Sequence, residues 1–121
     1  MPRVQPKSLS QEERTNLLDE FWTMIALLES RDEVKNFFKD LLSETEAIML
    51  ARRIQIAKLL LEVISYDEIR QRLKTSETTI AQVHRWLQGG FSGYAKAIPK
   101  LAKEIERRRE IIRRGKESRI P

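Results

Sequence analysis

The stretch Ser65-Tyr-Asp-Glu-Ile-Arg-Gln-Arg-Leu-Lys-Thr-Ser-Glu-Thr-Thr-Ile-Ala-Gln-Val-His-Arg-Trp-Leu-Gln88 decides how this chain is read. Ile69 and Leu73 lie four apart, and Ile80, Val83 and Leu87 lie three and four apart, so each run has one apolar helical face. Between them Lys74-Thr75-Ser76 is short and polar, and Ser76 is placed to cap the second run. Two short helices joined this way cross steeply, with the apolar residues packed in the angle. The spacing therefore predicts a helix-turn-helix over residues 65–88. The outer face of its second helix holds Glu77, Thr78, Ala81, Gln82 and Arg85. Glutamine pairs with adenine and arginine with guanine in a major groove, so such side chains suit its floor. Ser76, Thr78 and Thr79, at the start of that helix, are placed to meet phosphate through amides and hydroxyls. Glu77 counts against this use, since a carboxylate at the groove repels phosphate unless it accepts from cytosine. The same pattern, taken alone, also describes a helical hairpin in a bundle.

Outward from this motif the chain is helix-forming throughout. Neither glycine nor proline occurs between residues 9 and 88. Ser10-x-x-Glu13, Ser43-x-x-Glu46 and Ser65-x-x-Glu68 all have capping-box spacing, which marks three helix starts. The predicted helices run over about 11–29, 32–42, 44–63, 66–73 and 77–88, with a last one from about 94 or 98 to 114. Their expected inner faces are Leu17, Leu18, Phe21, Trp22, Ile25 and Leu28, then Val34, Phe37, Phe38, Leu41 and Leu42, then Ile48, Leu50, Ala51, Ile54, Ala57, Leu60 and Leu61. The first helix is apolar over more than one face, which fits either an ordinary bundle core or cover by a second chain. Residues 1–9 read as a flexible leader, 10–90 as a helical dimerisation core, 91–116 as a C-terminal basic helix and 117–121 as a tail.

Composition narrows the function classes. The 121 residues carry a formal net charge of +5, which favours polyanionic partners without proving one. The absence of cysteine excludes a disulfide framework and cysteine chemistry. The single histidine, His84, stands in no metal-ligating cluster and reads as a surface or DNA-facing residue. No nucleophile–base pair, metal spacing or phosphate loop points to an enzyme, and no cofactor is called for. No apolar run spans a bilayer and the N-terminus lacks a signal core, so the expectation is a soluble, cytoplasmic protein with no membrane partner.

Gly89-Gly90-Phe91-Ser92-Gly93-Tyr94 reads as a flexible joint with two aromatic anchors. The helix after it sets Ile98, Leu101, Ile105 and Ile112 on one stripe. Lys96, Lys100, Lys103, Arg107, Arg108, Arg109, Arg113 and Arg114 lie on its other faces. Charge runs of this kind are usually solvated, with helical ion pairs to Glu104, Glu106 and Glu110 worth little each. The excess of cations nonetheless predicts an auxiliary contact of Arg107, Arg108 and Arg109 with DNA backbone.

From Leu42 to Gln88 the chain resembles the Trp repressor superfamily, especially its YerC/YecD-like branch. The residues that carry the resemblance are Leu41-Leu42-Ser43-x-x-Glu46, Leu50-x-x-Arg53-Ile54-x-Ile56, Leu60-Leu61, Ser65-x-x-Glu68-Ile69-x-x-x-Leu73, Thr79-Ile80 and Leu87. It implies an all-α, six-helix protomer, intertwined with a second copy in a homodimer. It also implies two recognition helices in successive major grooves of double-stranded DNA. Arg70 matches a basic phosphate-contacting position, and Thr79 and Ala81 match positions at the groove. Asp67 replaces a basic DNA-contacting residue, which points to a different target sequence. At the family's tryptophan pocket, Arg53 matches one of two arginines that sandwich the indole. The second arginine falls on Gln82, the glycine beside it on Val83, and the serine that binds the ligand's amino group on Trp86. These departures argue against tryptophan as effector. Val83 and Trp86 are expected to fill the vestigial pocket, and Arg53, lacking its ligand, to pair with a carboxylate. The reading is a sequence-specific transcriptional repressor. A helical protein- or RNA-interaction module and a transposase-associated helix-turn-helix protein are the rivals.

Overall fold

Serines set where the helices of this protein begin. The computed structural model describes residues 8–117, which form α1 (Gln11–Ala26), α2 (Arg31–Leu41), α3 (Glu44–Leu61), α4 (Tyr66–Leu73), α5 (Glu77–Gly89) and α6 (Gly93–Glu117). There is no strand among the described residues. The hydroxyls of Ser10, Ser30, Ser43, Ser65 and Ser76 each accept from the amide three residues on, closing the first turns of α1 to α5. The full capping box forms at Ser43. Glu46 Oε1 accepts from the Ser43 amide at 2.9 Å while Ser43 Oγ accepts from the Glu46 amide at 3.2 Å. Those bonds, the backbone one foremost, hold the Glu46 carboxyl below its ordinary pKa. At Ser65 the box is half made, because Glu68 turns instead to Arg72.

The described chain forms two compact units, one up to Ala47 and one from Ile48 onward. In the first, α1 ends at Ala26 rather than near Glu29, since Ser30 must be extended to cap α2. Neither α1 nor α2 buries a residue completely. Leu17 is 58% exposed and Trp22 59%, and Leu18, Val34 and Leu41 are exposed as well, so the expected inner faces are only partly covered in the single chain. Phe21, Ile25, Leu28, Phe37, Phe38 and Leu42 are half-buried.

The second unit holds the core: Ile56 and Ala57 of α3, Ile69 of α4, Ile80 and Val83 of α5 and Ile98 of α6. Full burial of each isoleucine or valine side chain contributes about 1.5–3 kcal/mol. On α3 the buried pair is Ile56 and Ala57, while Ile48, Leu50, Ala51, Ile54 and Leu61 are exposed, which corrects the expected face. α3 also stops two residues short of the expected Val63. Val63 adopts a left-handed conformation (φ 61°), its amide donating to Leu60 O and that of Ile64 to Leu59 O. This is a Schellman stop with valine where glycine is usual. α5 runs to Gly89, and Gly90 caps it with its amide on Trp86 O at 2.9 Å. α6 starts at Gly93 and continues through Pro99. Of the two expected aromatic anchors, Tyr94 packs on the core and Phe91 is fully exposed. Of the expected leader (1–9) and tail (117–121), residues 1–7 and 118–121 lie outside the described residues.

Candidate nucleic-acid interface

α4 and α5 form the predicted helix-turn-helix with the predicted boundaries at Tyr66, Leu73 and Glu77. Lys74 makes the turn in a left-handed conformation (φ 52°), with its amide on Arg70 O. Ser76 caps α5, and its Oγ also lies 2.9 Å from Thr79 Oγ1. Ile69, Ile80 and Val83 are buried in the angle, with Leu73 and Leu87 packed against them. Opposite that buried row α5 presents Thr78, Gln82 and Arg85, all exposed and spaced four and three apart. Ala81 and Thr79 are half-buried at its margin. On α4, Arg70 is exposed and ion-paired with Asp67 one turn earlier. A phosphate would have to displace that carboxylate, or share the guanidinium with it, to use Arg70 as predicted.

Two further contacts hold α5. His84, expected at the surface or facing DNA, is half-buried, and its Nδ1 lies 2.7 Å from the Tyr66 hydroxyl of α4, with the rings edge to face. The Arg53 guanidinium of α3 sits 5.3 Å from the centroid of the Trp86 ring, a cation–π stack. Among the described residues Arg53 thus has an aromatic partner and no carboxylate, in place of the ion pair expected for it. Sequence reasoning missed both contacts, since pairs 18 and 33 residues apart leave no periodic signal.

Two hollows flank α5. The larger, about 680 Å³, is apolar and is lined by Ile54, Trp86, Phe91, Tyr94, Ile98 and Leu101 among others. The smaller, about 300 Å³, lies between α3 and the start of α5 and is lined by Ile48, Met49, Arg52, Arg53, Thr75, Thr79 and Gln82.

Along α6 the ion pairs sort the cations. Glu104 takes both Arg107 and Arg108, and Glu110 takes both Arg113 and Arg114. The hydrogen bond from Arg107 foremost holds the Glu104 carboxyl down to about 2. Among the described residues Lys96, Lys100, Lys103 and Arg109 have no ion-pair partner. At 3.6 residues per turn Lys96, Lys100, Lys103, Arg107 and Arg114 fall within about 60° of one another, opposite the Ile98–Leu101–Ile105 stripe.

The Trp repressor protein family matches residues 16–102, a span that includes every element from α2 to α5. The chain belongs to the Trp repressor family. YerC of Bacillus subtilis is 34% identical over 89 residues, which is 74% of this chain and 85% of YerC. A TrpR-like protein from Eubacterium eligens superposes with a TM-score of 0.69 at 29% identity, over 77% of this chain and 96% of its own. A Trp repressor candidate from Staphylococcus aureus gives 0.67 at 33%, over 78% and 96%. The protein therefore has the all-α Trp repressor fold and stands among helix-turn-helix DNA-binding regulators rather than enzymes. No helix among the described residues is long and apolar enough to cross a membrane.

The four residues expected at a vestigial ligand pocket do not all line one hollow. Arg53 and Gln82 line the smaller recess, Val83 is buried in the core, and Trp86 lines the larger cleft while stacking under Arg53. Val83 and Trp86 do not line the recess that Arg53 and Gln82 share.

Proposed function

We propose that this protein is a sequence-specific, homodimeric repressor that binds double-stranded DNA with α5 in the major groove and without tryptophan as effector. The observation that carries the reading is the exposed row Thr78, Gln82 and Arg85, set opposite the buried Ile80–Val83 row of a capped second helix. Each of these side chains hydrogen-bonds base edges, and the row spans about two helical turns, the reach of a recognition helix in one groove. The dimer is supported by apolar faces that the single chain leaves uncovered, at Leu17, Trp22, Ile48 and Ile54 and in the cleft beside Phe91. Effector independence is supported by Arg53, whose aromatic partner is Trp86 of the same chain, and by Gln82, which supplies no second cation. Lys96, Lys100, Lys103 and Arg107, which share one face of α6, form the auxiliary contact with DNA backbone, whereas Arg108 and Arg109, also expected there, fall on other faces of the helix.

Footprinting on the DNA upstream of the protein's own gene tests this directly. A palindromic protected site is expected, and absence of any duplex binding at low salt contradicts it. Sedimentation as a monomer at micromolar concentration contradicts the dimer.

A further inference from the structure

The hydrogen bond between Tyr66 and His84 differs from every other side-chain hydrogen bond of α3, α4 and α5. The others join residues three or four apart within one helix or its cap. This one joins two helices, at 2.7 Å, across 18 residues. The remaining packing between α4 and α5 is aliphatic, through Ile69, Leu73, Ile80, Val83 and Leu87. Aliphatic burial is non-directional and tolerates small rotations of one helix over another. A hydrogen bond does not, because it weakens steeply with angle and distance.

His84 is also well placed to act on the reading face. It adjoins Arg85 and lies two positions after Gln82, on the same two turns of α5. A rotation of α5 about its axis moves Thr78, Gln82 and Arg85 together and changes which base edge each can reach. Tyr66 is the first residue of α4, where the Ser65 cap fixes its backbone. The bond therefore ties the rotation of the second helix to the capped start of the first.

We infer that Tyr66 and His84 are a positioning pair that sets the sequence specificity of α5, rather than a pair that only adds stability. The inference rests on the DNA-binding reading above. Its probe is a duplex that the wild-type protein enriches from random-sequence DNA, compared with a scrambled duplex of the same composition at one salt concentration. Tyr66→Phe keeps the ring and removes the hydroxyl. It is expected to lower the ratio of the two affinities about threefold to tenfold, the range of one net hydrogen bond, with scrambled binding unchanged within about twofold. His84→Ala should do the same, and the double variant no more than either single one, since the two act as a unit. His84→Asn places an amide near the position of Nδ1 and should restore the wild-type ratio within about twofold. A melting curve for each variant shows that it is folded at the assay temperature.

An unchanged ratio for folded Tyr66→Phe overturns the inference. So does a double variant whose loss is the product of the single losses, or an equal weakening on both duplexes. A wild-type chain that enriches no duplex contradicts the DNA-binding reading itself, and the inference falls with it.

Discussion

Arg53 of α3 lies over the indole of Trp86 on α5, with the guanidinium carbon 5.3 Å from the ring centroid. The chain thus provides from within itself an aromatic ring for an arginine that the family resemblance assigns to a bound indole. Isothermal calorimetry with tryptophan is expected to show no saturable binding, and saturable binding that tightens DNA binding would refute effector independence. Arg53→Gln is expected to destabilise the fold by about 0.5–1 kcal/mol, the range for a cation–π contact at a partly exposed site. Chemical denaturation measures this, and an unchanged midpoint assigns the stack no energetic part.

Val63 gives a stability test that does not involve function. It closes α3 in a left-handed conformation that costs an L-residue about 1–2 kcal/mol, and its side chain is 89% exposed. Val63→Asn keeps a side chain that tolerates this region and is expected to stabilise the protein by about 0.5–1 kcal/mol. Val63→Gly should gain at least as much, because glycine carries no Cβ penalty in this region and is the usual residue at such a stop. Urea denaturation of the three proteins gives the order directly.

Gly90 behaves in the opposite sense. A Cβ there would stand 2.4 Å from the Trp86 carbonyl oxygen, a backbone atom that cannot turn aside. Gly90→Ala is expected to cost about 1–3 kcal/mol and to fray the end of α5. Gly89→Ala, with open space at its Cβ, should be neutral or stabilising, and a thermal melt of the two variants compares them.

How much of this is legible in the sequence follows from the range of the interactions. The motif over 65–88 and the caps at Ser10, Ser43, Ser65 and Ser76 are local, and periodicity with serine spacing finds them. Ser30 has the same spacing to Glu33, and leaving that cap unread places the end of α1 three residues late. The covered face of α3 depends on where α4 to α6 pack, so period alone does not tell Ile56 from Ile54. The environment of His84 and the partner of Arg53 are set by tertiary placement, which no window along the chain reports.

The α6 ion pairs sharpen the expected meeting with DNA backbone. Arg107 and Arg108 share Glu104, whereas Lys96, Lys100 and Lys103 have no carboxylate partner among the described residues. Replacing the three lysines by alanine is expected to weaken binding to all sequences alike. It should reduce the slope of log affinity against log salt by about 0.9 for each phosphate that the variant no longer neutralises. Arg107→Ala with Arg108→Ala should reduce it less. An unchanged slope for the triple lysine variant removes α6 from the interface.

Selection of bound duplexes from random-sequence DNA tests the central claim most directly. Enrichment of an inverted repeat with half-sites about one helical turn (~10 base pairs) apart is expected, with a changed half-site for Gln82→Ala or Arg85→Ala. Recovery of no enriched sequence by a folded wild-type protein at low salt would contradict it.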